Sequence, residues 1–169
     1  LLFLDSDDAY VPGALRVIRT RLEDTAEPDM ALFDYARWYW NGNQERNYLS
    51  SHVTAAALNG VFALPKHADL LSVFNAAWSK AYRRDFVEGH EMAFPTGVYE
   101  DLPWTMRCLM LAERMVAIDA VLVLYRQRVA GSILRSRNRS HFDVFDQWDR
   151  VFALLVEHPE WEPYRRHLF

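Results

Sequence analysis

The chain lacks the cysteines that an internal disulfide requires. Cys108 is the only one and sits in an apolar run, so nothing here calls for an oxidising compartment. A cytoplasmic setting, extending to the inner face of a membrane, is the expectation. No apolar run is long enough to cross a bilayer, and no stretch reads as a signal peptide. An excess of positive charge is missing too: 19 Lys and Arg against 23 Asp and Glu give a formal net charge of −4. That balance argues against a general nucleic-acid binder, whose affinity for phosphate backbones rests on Lys and Arg. Internal repeats and low-complexity segments are also absent. What the chain does have is apolar bulk, with 51% hydrophobic residues and six Trp among its 169 residues. This suffices for one domain, residues 1–169, with a sizeable core. Trp and Tyr also suit the apolar faces of sugars, although packing should use most of them.

Residues 1 to 4 read as a buried strand that delivers Asp5-Ser6-Asp7-Asp8 to its carboxyl end. If the strand persists, Asp5 and Asp7 point the same way. Pro12 to Leu22 has Leu15, Ile18 and Leu22 at helical spacing, and the acidic stretch Glu23 to Asp29 reads as a turn. Met30 to Trp40 predicts a strand that turns at Asn41-Gly42-Asn43 and returns through Arg46 to Leu49. His67 to Phe74 and Ala76 to Phe86 predict two short helices, the second around Trp78, Ala81 and Tyr82. A further helix opens at Glu100-Asp101 with Asp101 as its N-cap, and Met115 to Arg126 is β-rich. Gly131 to Ser140 reads as an exposed loop. The final helix spans Phe142 to Glu157, with Phe145, Trp148, Val151, Phe152 and Leu155 at core spacing. Strands interspersed with helices indicate an α/β chain.

Three groups of residues could carry chemistry. The first, Asp5-Ser6-Asp7-Asp8, offers hard oxygen donors suited to Mg²⁺ or Mn²⁺, ions that hold substrate phosphates through one or two protein carboxylates. Acidic turns after strands are common, and Asp8 could serve only to cap the next helix. Ala9 and the missing Gly and distal Glu exclude an EF-hand loop. The second group is Tyr99-Glu100-Asp101, where a carboxylate on a loop entering a helix can either cap it or meet a substrate hydroxyl. The third runs from Tyr125 to His141, with five Arg and no acid. It reads either as a solvated basic loop or as an anion-binding lid, since guanidinium forks match diphosphate oxygens and Gly131-Ser132 could act as a hinge.

In this order the motifs resemble family 2 glycosyltransferases of the GT-A fold. Leu4-Asp5-Ser6-Asp7-Asp8, Trp78-Ser79-Lys80-Ala81-Tyr82-Arg83-Arg84, Tyr99-Glu100-Asp101 and Tyr125-Arg126 with Gly131-Ser132-Ile133 carry the likeness. The subgroup it is most similar to makes bacterial capsule and cell-wall polymers, some members being fused to teichoic-acid-type glycerophosphotransferase domains. The resemblance implies a partial GT-A fold, Rossmann-like, with a mixed sheet and flanking helices, entered at the metal and acceptor portion. The N-terminal nucleotide-binding half is expected to lie upstream, so this chain is expected to be inactive alone. Its first strand would then expose an edge open to self-association.

The implied reaction is inverting transfer of a sugar from a nucleotide-diphosphate donor to a saccharide or polyol-phosphate acceptor, aided by Mg²⁺ or Mn²⁺. The resemblance assigns Asp7 to the metal, Asp5 to the nucleotide ribose or the metal, and Asp101 to the base, with Glu100 orienting the acceptor or Asp101. Arg126, Arg128, Ser132 and Arg135 would meet the diphosphate. Trp78, Lys80 and Arg84 would organise the acceptor side, with Lys80 in reach of phosphate. Partners implied are the donor, the acceptor and a fused or associated polymer-synthesis domain, with no nucleic acid. Two other readings stay open: a haloacid-dehalogenase-like phosphatase using Asp5 as nucleophile, and a non-catalytic glycan-binding module.

Overall fold

The computed structural model describes residues 1–73, 75–127 and 139–168. In chain order the elements are β1 (Ala9–Tyr10), α1 (Ala14–Asp24), β2 (Met30–Trp38), β3 (Gln44–Arg46), α2 (Ser50–Ala57), β4 (Lys80–Tyr82), α3 (Arg84–Gly89), α4 (Asp101–Leu111), β5 (Met115–Arg126) and α5 (Asp143–Glu157). Short 3₁₀ turns fill Leu64–Lys66, Ala68–Ser72 and Ala77–Ser79, and a longer one covers Pro159–His167.

β2 is the centre of a mixed sheet. It runs parallel to β5, from Met30 opposite Met115 to Trp38 opposite Arg126, and its register shifts on both sides of Asp34. On its other edge it pairs antiparallel with β4 through Met30–Leu32 and with β3 through Ala36–Trp38. β1 closes the far side of β5, again antiparallel. Buried on both faces over its first seven residues, β2 sorts its side chains by alternation. Met30 and Leu32 enter one core with Val53, Met106, Leu109, Val151 and Leu155. Ala31, Phe33 and Tyr35 enter another with Ala14, Ile18, Trp78 and Val123. Thus α1 packs on one face of the sheet, and α2, α4 and α5 on the other.

The hairpin forms as its sequence predicts. Gly42 takes φ +85, which a side chain would resist, and Asn41 Oδ1 accepts the Asn43 N–H at 3.0 Å. Met115 to Arg126 is a strand throughout, and the terminal helix begins at Asp143, one residue past its predicted start.

Other expectations give way to tertiary contacts. Residues 1 to 4 make only one ladder position, Leu2 opposite Ala81, and Leu1, Leu2 and Leu4 stay 40–44% exposed. Ala76 to Phe86 is not one helix, because Lys80–Tyr82 pairs with Met30–Leu32 and that ladder outweighs the helical spacing of Trp78, Ala81 and Tyr82. On α1, Ile18 and Leu22 face inward as expected, but Ala14 takes the place of Leu15, which is exposed. Phe145 likewise stays outside, stacked on Phe142 with ring centroids 6.2 Å apart.

Candidate active site

The Asp5–Asp8 segment is a turn rather than the end of a strand: the Asp8 N–H donates to Asp5 O at 3.1 Å. Period-two alternation therefore does not align Asp5 with Asp7, yet both line one cleft of about 790 Å³. The turn is held against the carboxyl end of β5 in two ways. Asp8 Oδ1 accepts the Arg126 backbone N–H at 2.8 Å, and the Arg126 Nε donates to Asp7 O at 2.9 Å. Burial raises the Asp8 carboxyl to about 6 against the opposing pull of that N–H, and its other oxygen is buried with no hydrogen-bond partner. Asp8 is thus an anchor, a role its sequence position suggested only as a cap for α1. No capping bond reaches α1, whose N-cap is Gly13.

Arg126 lines the cleft as the resemblance implied, but its guanidinium has structural work there. Besides Asp7 it lies 3.9 Å from the ring centroid of Trp38 and 5.2 Å from that of Trp40. Arg128, Ser132 and Arg135 lie outside the described residues.

Glu100 and Asp101 line the same cleft at the start of α4. Asp101 is not the N-cap. Glu100 occupies that position without a side-chain cap bond, while Asp101 Oδ2 leaves the helix to accept the Ala77 N–H at 3.3 Å. Burial raises the Asp101 carboxyl to about 6; the Ala77 N–H opposes this, Glu100 and Asp5 add to it, and Lys80 counters. A carboxylate tuned near neutrality and facing a cleft suits proton abstraction from a hydroxyl.

The loop leading into Glu100 is under strain. Tyr99 adopts φ 66, a left-handed conformation that non-glycine residues resist, and its hydroxyl pairs with His141 Nδ1 at 2.7 Å. Two side chains of α5 hold the loop in place. Asp143 Oδ2 accepts the Val98 N–H at 3.0 Å, and Gln147 Nε2 donates to Thr96 O at 3.0 Å and to Val98 O at 3.3 Å. Gly97 sits beneath them at φ +104, where an added Cβ would come within 3.0 Å of Gln147 Nε2. Periodicity alone marked the apolar face of α5 and missed this polar pair one turn apart, which the i, i+4 spacing of Asp143 and Gln147 could have signalled.

Aromatic side chains form another wall. Trp78 stacks on Tyr125 with centroids 5.1 Å apart at 29°, and Tyr35 meets Trp78 edge-on at 5.0 Å. Lys80 and Arg84 depart from expectation. Lys80 departs only in its reach for phosphate, since it is 1% exposed and does not line the cleft, which leaves the organising role; Arg84 projects outward beside Glu88 at 4.0 Å.

The donor set fits a hard divalent cation. Asp5 and Asp7 supply oxygens at the cleft, and among the described residues no three His, Cys, Asp or Glu gather as a closed metal cage. Mg²⁺ held partly by substrate phosphates needs only one or two carboxylates.

No protein-family model matches the chain. Among curated proteins it is 22% identical to EpsH of Bacillus subtilis (strain 168), assigned as a glycosyltransferase, over 99% of this chain and 49% of that protein. Among solved structures it matches residues 1–349 of TarS from S. aureus in complex with UDP-GlcNAc. The TM-score is 0.67 at 19% identity, covering 92% of this chain and 42% of that one. The TarS complex with UDP gives 0.63 at 16% identity, covering 92% of this chain and 40% of the other. The chain therefore spans about half the length of the proteins it matches. Its mixed sheet with flanking helices, with a cleft lined by both the acidic turn and the start of α4, is a partial α/β GT-A fold similar to that of the matched TarS chain.

Proposed function

We propose that this chain is the metal- and acceptor-side portion of an inverting glycosyltransferase. It moves a sugar from a nucleotide-diphosphate donor to a hydroxyl acceptor, a saccharide or polyol phosphate, in polysaccharide or cell-wall polymer synthesis. One observation carries the reading: Asp5 and Asp7, remote in sequence from Glu100 and Asp101, line one cleft with them.

In the reaction the acceptor hydroxyl gives its proton to the Asp101 carboxylate. The acceptor oxygen bonds to the anomeric carbon from the side opposite the diphosphate, and the carbon–oxygen bond to the diphosphate breaks with its electron pair staying on the leaving oxygen. Glu100, beside Asp101, orients the acceptor. Asp7 would hold Mg²⁺ or Mn²⁺ and Asp5 would face the nucleotide. The ion, when bound, offsets charge developing on the leaving diphosphate. Trp78 and Tyr125 offer an apolar wall to a sugar ring, and Arg126 keeps the acidic turn in place while lining the donor side.

The test is nucleoside-diphosphate release by the native-length protein across a panel of sugar nucleotides with Mn²⁺ or Mg²⁺. The variant Asp101→Asn is run beside it. Uridine diphosphate sugars lead the panel, because the TarS structures hold UDP-GlcNAc and UDP. Release that needs one donor, the metal and Asp101 is the expected result. Metal-dependent phosphate release abolished by Asp5→Asn and indifferent to Asp101→Asn would replace the reading with the phosphatase. Saccharide binding without release, unaffected by Asp7→Ala, would replace it with the glycan-binding module.

A further inference from the structure

Lys80 is one of only two lysines in the chain and is 1% exposed. Burying an ammonium is unfavourable unless hydrogen bonds and opposite charge compensate. Here Nζ donates to Ala76 O at 2.8 Å and to Ser79 Oγ at 3.1 Å, while Ser79 Oγ donates to Ala76 O at 3.2 Å. These bonds tie Ala76, just before the Ala77–Ser79 turn, and Ser79, its last residue, to one buried cation. The same turn receives Asp101, whose carboxylate accepts the Ala77 N–H, and it carries Trp78 into the cleft wall.

We propose that Lys80 is a positioning residue for the transfer reaction, holding from beneath the cleft the turn against which the Asp101 carboxylate and the Trp78 ring are set. The proposal rests on the reading of Asp101 as the base.

The charges facing these groups agree with the geometry. Asp101 faces Glu100 and Asp5, which both favour its protonated form, and Lys80, which favours the carboxylate. Lys80 faces Asp101 and the buried Cys108 thiol; burial lowers its ammonium to about 8, and the Asp101 carboxylate draws it back toward the charged form. Removing the cation would therefore loosen the turn and leave Asp101 among like charges. A lysine that contacted donor phosphate would act on donor affinity. One that sets the base acts on turnover.

The experiment uses the native-length protein with Lys80→Met, Ser79→Ala and Asp101→Asn. Lys80→Met is expected to lower kcat at least tenfold and to leave the donor KM within about threefold. It should also move the acidic limb of the kcat–pH profile upward by about one unit. Ser79→Ala, which removes one of the described Nζ anchors, is expected to move both readouts in the same direction by less. A ¹³C carboxyl titration of Asp101 in this chain and its Lys80→Met variant reads the same shift without turnover. Wild-type kcat and limb in Lys80→Met would overturn the proposal, as would a fall in kcat with both the limb and the carboxyl titration unmoved. If Lys80→Met does not fold, an unmoved limb in Ser79→Ala overturns it. Full activity in Asp101→Asn would instead refute the base itself, an outcome separate from any result on Lys80.

Discussion

Asp8 and Arg126, 118 positions apart, are joined backbone to side chain, Asp8 Oδ1 accepting the Arg126 N–H at 2.8 Å. The Arg126 guanidinium returns to Asp7 O, so the acidic turn and the end of β5 behave as one unit at the rim of the cleft. Asp8→Ala is expected to leave that N–H unpaired and free the turn. A loss of about tenfold in nucleoside-diphosphate affinity follows from one such hydrogen bond, read by calorimetry with Mn²⁺ present. Asp8→Asn keeps an acceptor and should bind within about threefold of wild type. Equal affinity in all three proteins would remove Asp8 from the site.

Asp101 must be ionised to accept a proton, and its carboxyl is raised to about 6. Transfer should therefore rise with pH up to about 6 and level off above it, and Asp101→Asn should lower kcat by about 10²–10⁴. The linkage to folding runs the other way. The folded chain holds this proton more tightly than the unfolded one, whose value is near 3.8, so the group's contribution is greatest below about 4 and is lost as pH rises toward about 6. Denaturant titrations across that window should show the slope in wild type and a shallower one in Asp101→Asn.

Asp7→Asn, or chelation of divalent ions, is expected to abolish tight binding of the nucleoside diphosphate while leaving the melting temperature within a few degrees. Asp7 is part of a partly exposed turn that belongs to neither core. Undiminished nucleotide affinity in EDTA would exclude the metal role.

Gly97→Ala tests the support from α5. A Cβ at φ +104 within 3.0 Å of Gln147 Nε2 should destabilise the fold by about 1–3 kcal/mol and displace the Thr96–Val98 strap that leads into Glu100. Transfer should fall even at temperatures where the variant is fully folded by circular dichroism; unchanged transfer would show that the strap does not set the base.

Away from the cleft, Asp34 is fully buried in β2 and pairs with Arg46 Nε at 2.5 Å. Arg46→Met is expected to cost about 2–3 kcal/mol in urea denaturation, because it strands a buried carboxylate. Asp34→Asn combined with Arg46→Met should recover part of it. Nucleotide affinity should stay unchanged in both, which makes the pair a control for loss of fold against loss of site.

Much of the fold was legible because it rests on local rules. The alternation of Met30 to Tyr35, the Asn41-Gly42-Asn43 turn, the β-branched run to Arg126 and the apolar stripe of α5 each specify an element from neighbouring residues alone. Where a distant strand supplied the decisive hydrogen bonds, the local pattern misled: Lys80–Tyr82 has helical spacing and becomes a strand only because Met30–Leu32 lies beside it. Leu1 to Leu4 looked like a full strand, yet only Leu2 finds a ladder partner.

The candidate site divides along the same line. Composition and order of motifs alone determined which residue types are available: the carboxylates of the Asp5–Asp8 turn, the Glu100-Asp101 pair, and the aromatics around Trp78 and Tyr125. Only the tertiary structure decided what each does. Asp101 turns from its helix to Ala77, Asp8 becomes the anchor of Arg126, and Lys80 lies beneath the cleft instead of at a phosphate. The reason is physical. A side chain's chemistry belongs to its residue, but its partners and desolvation are set by groups many positions away, which no local pattern encodes.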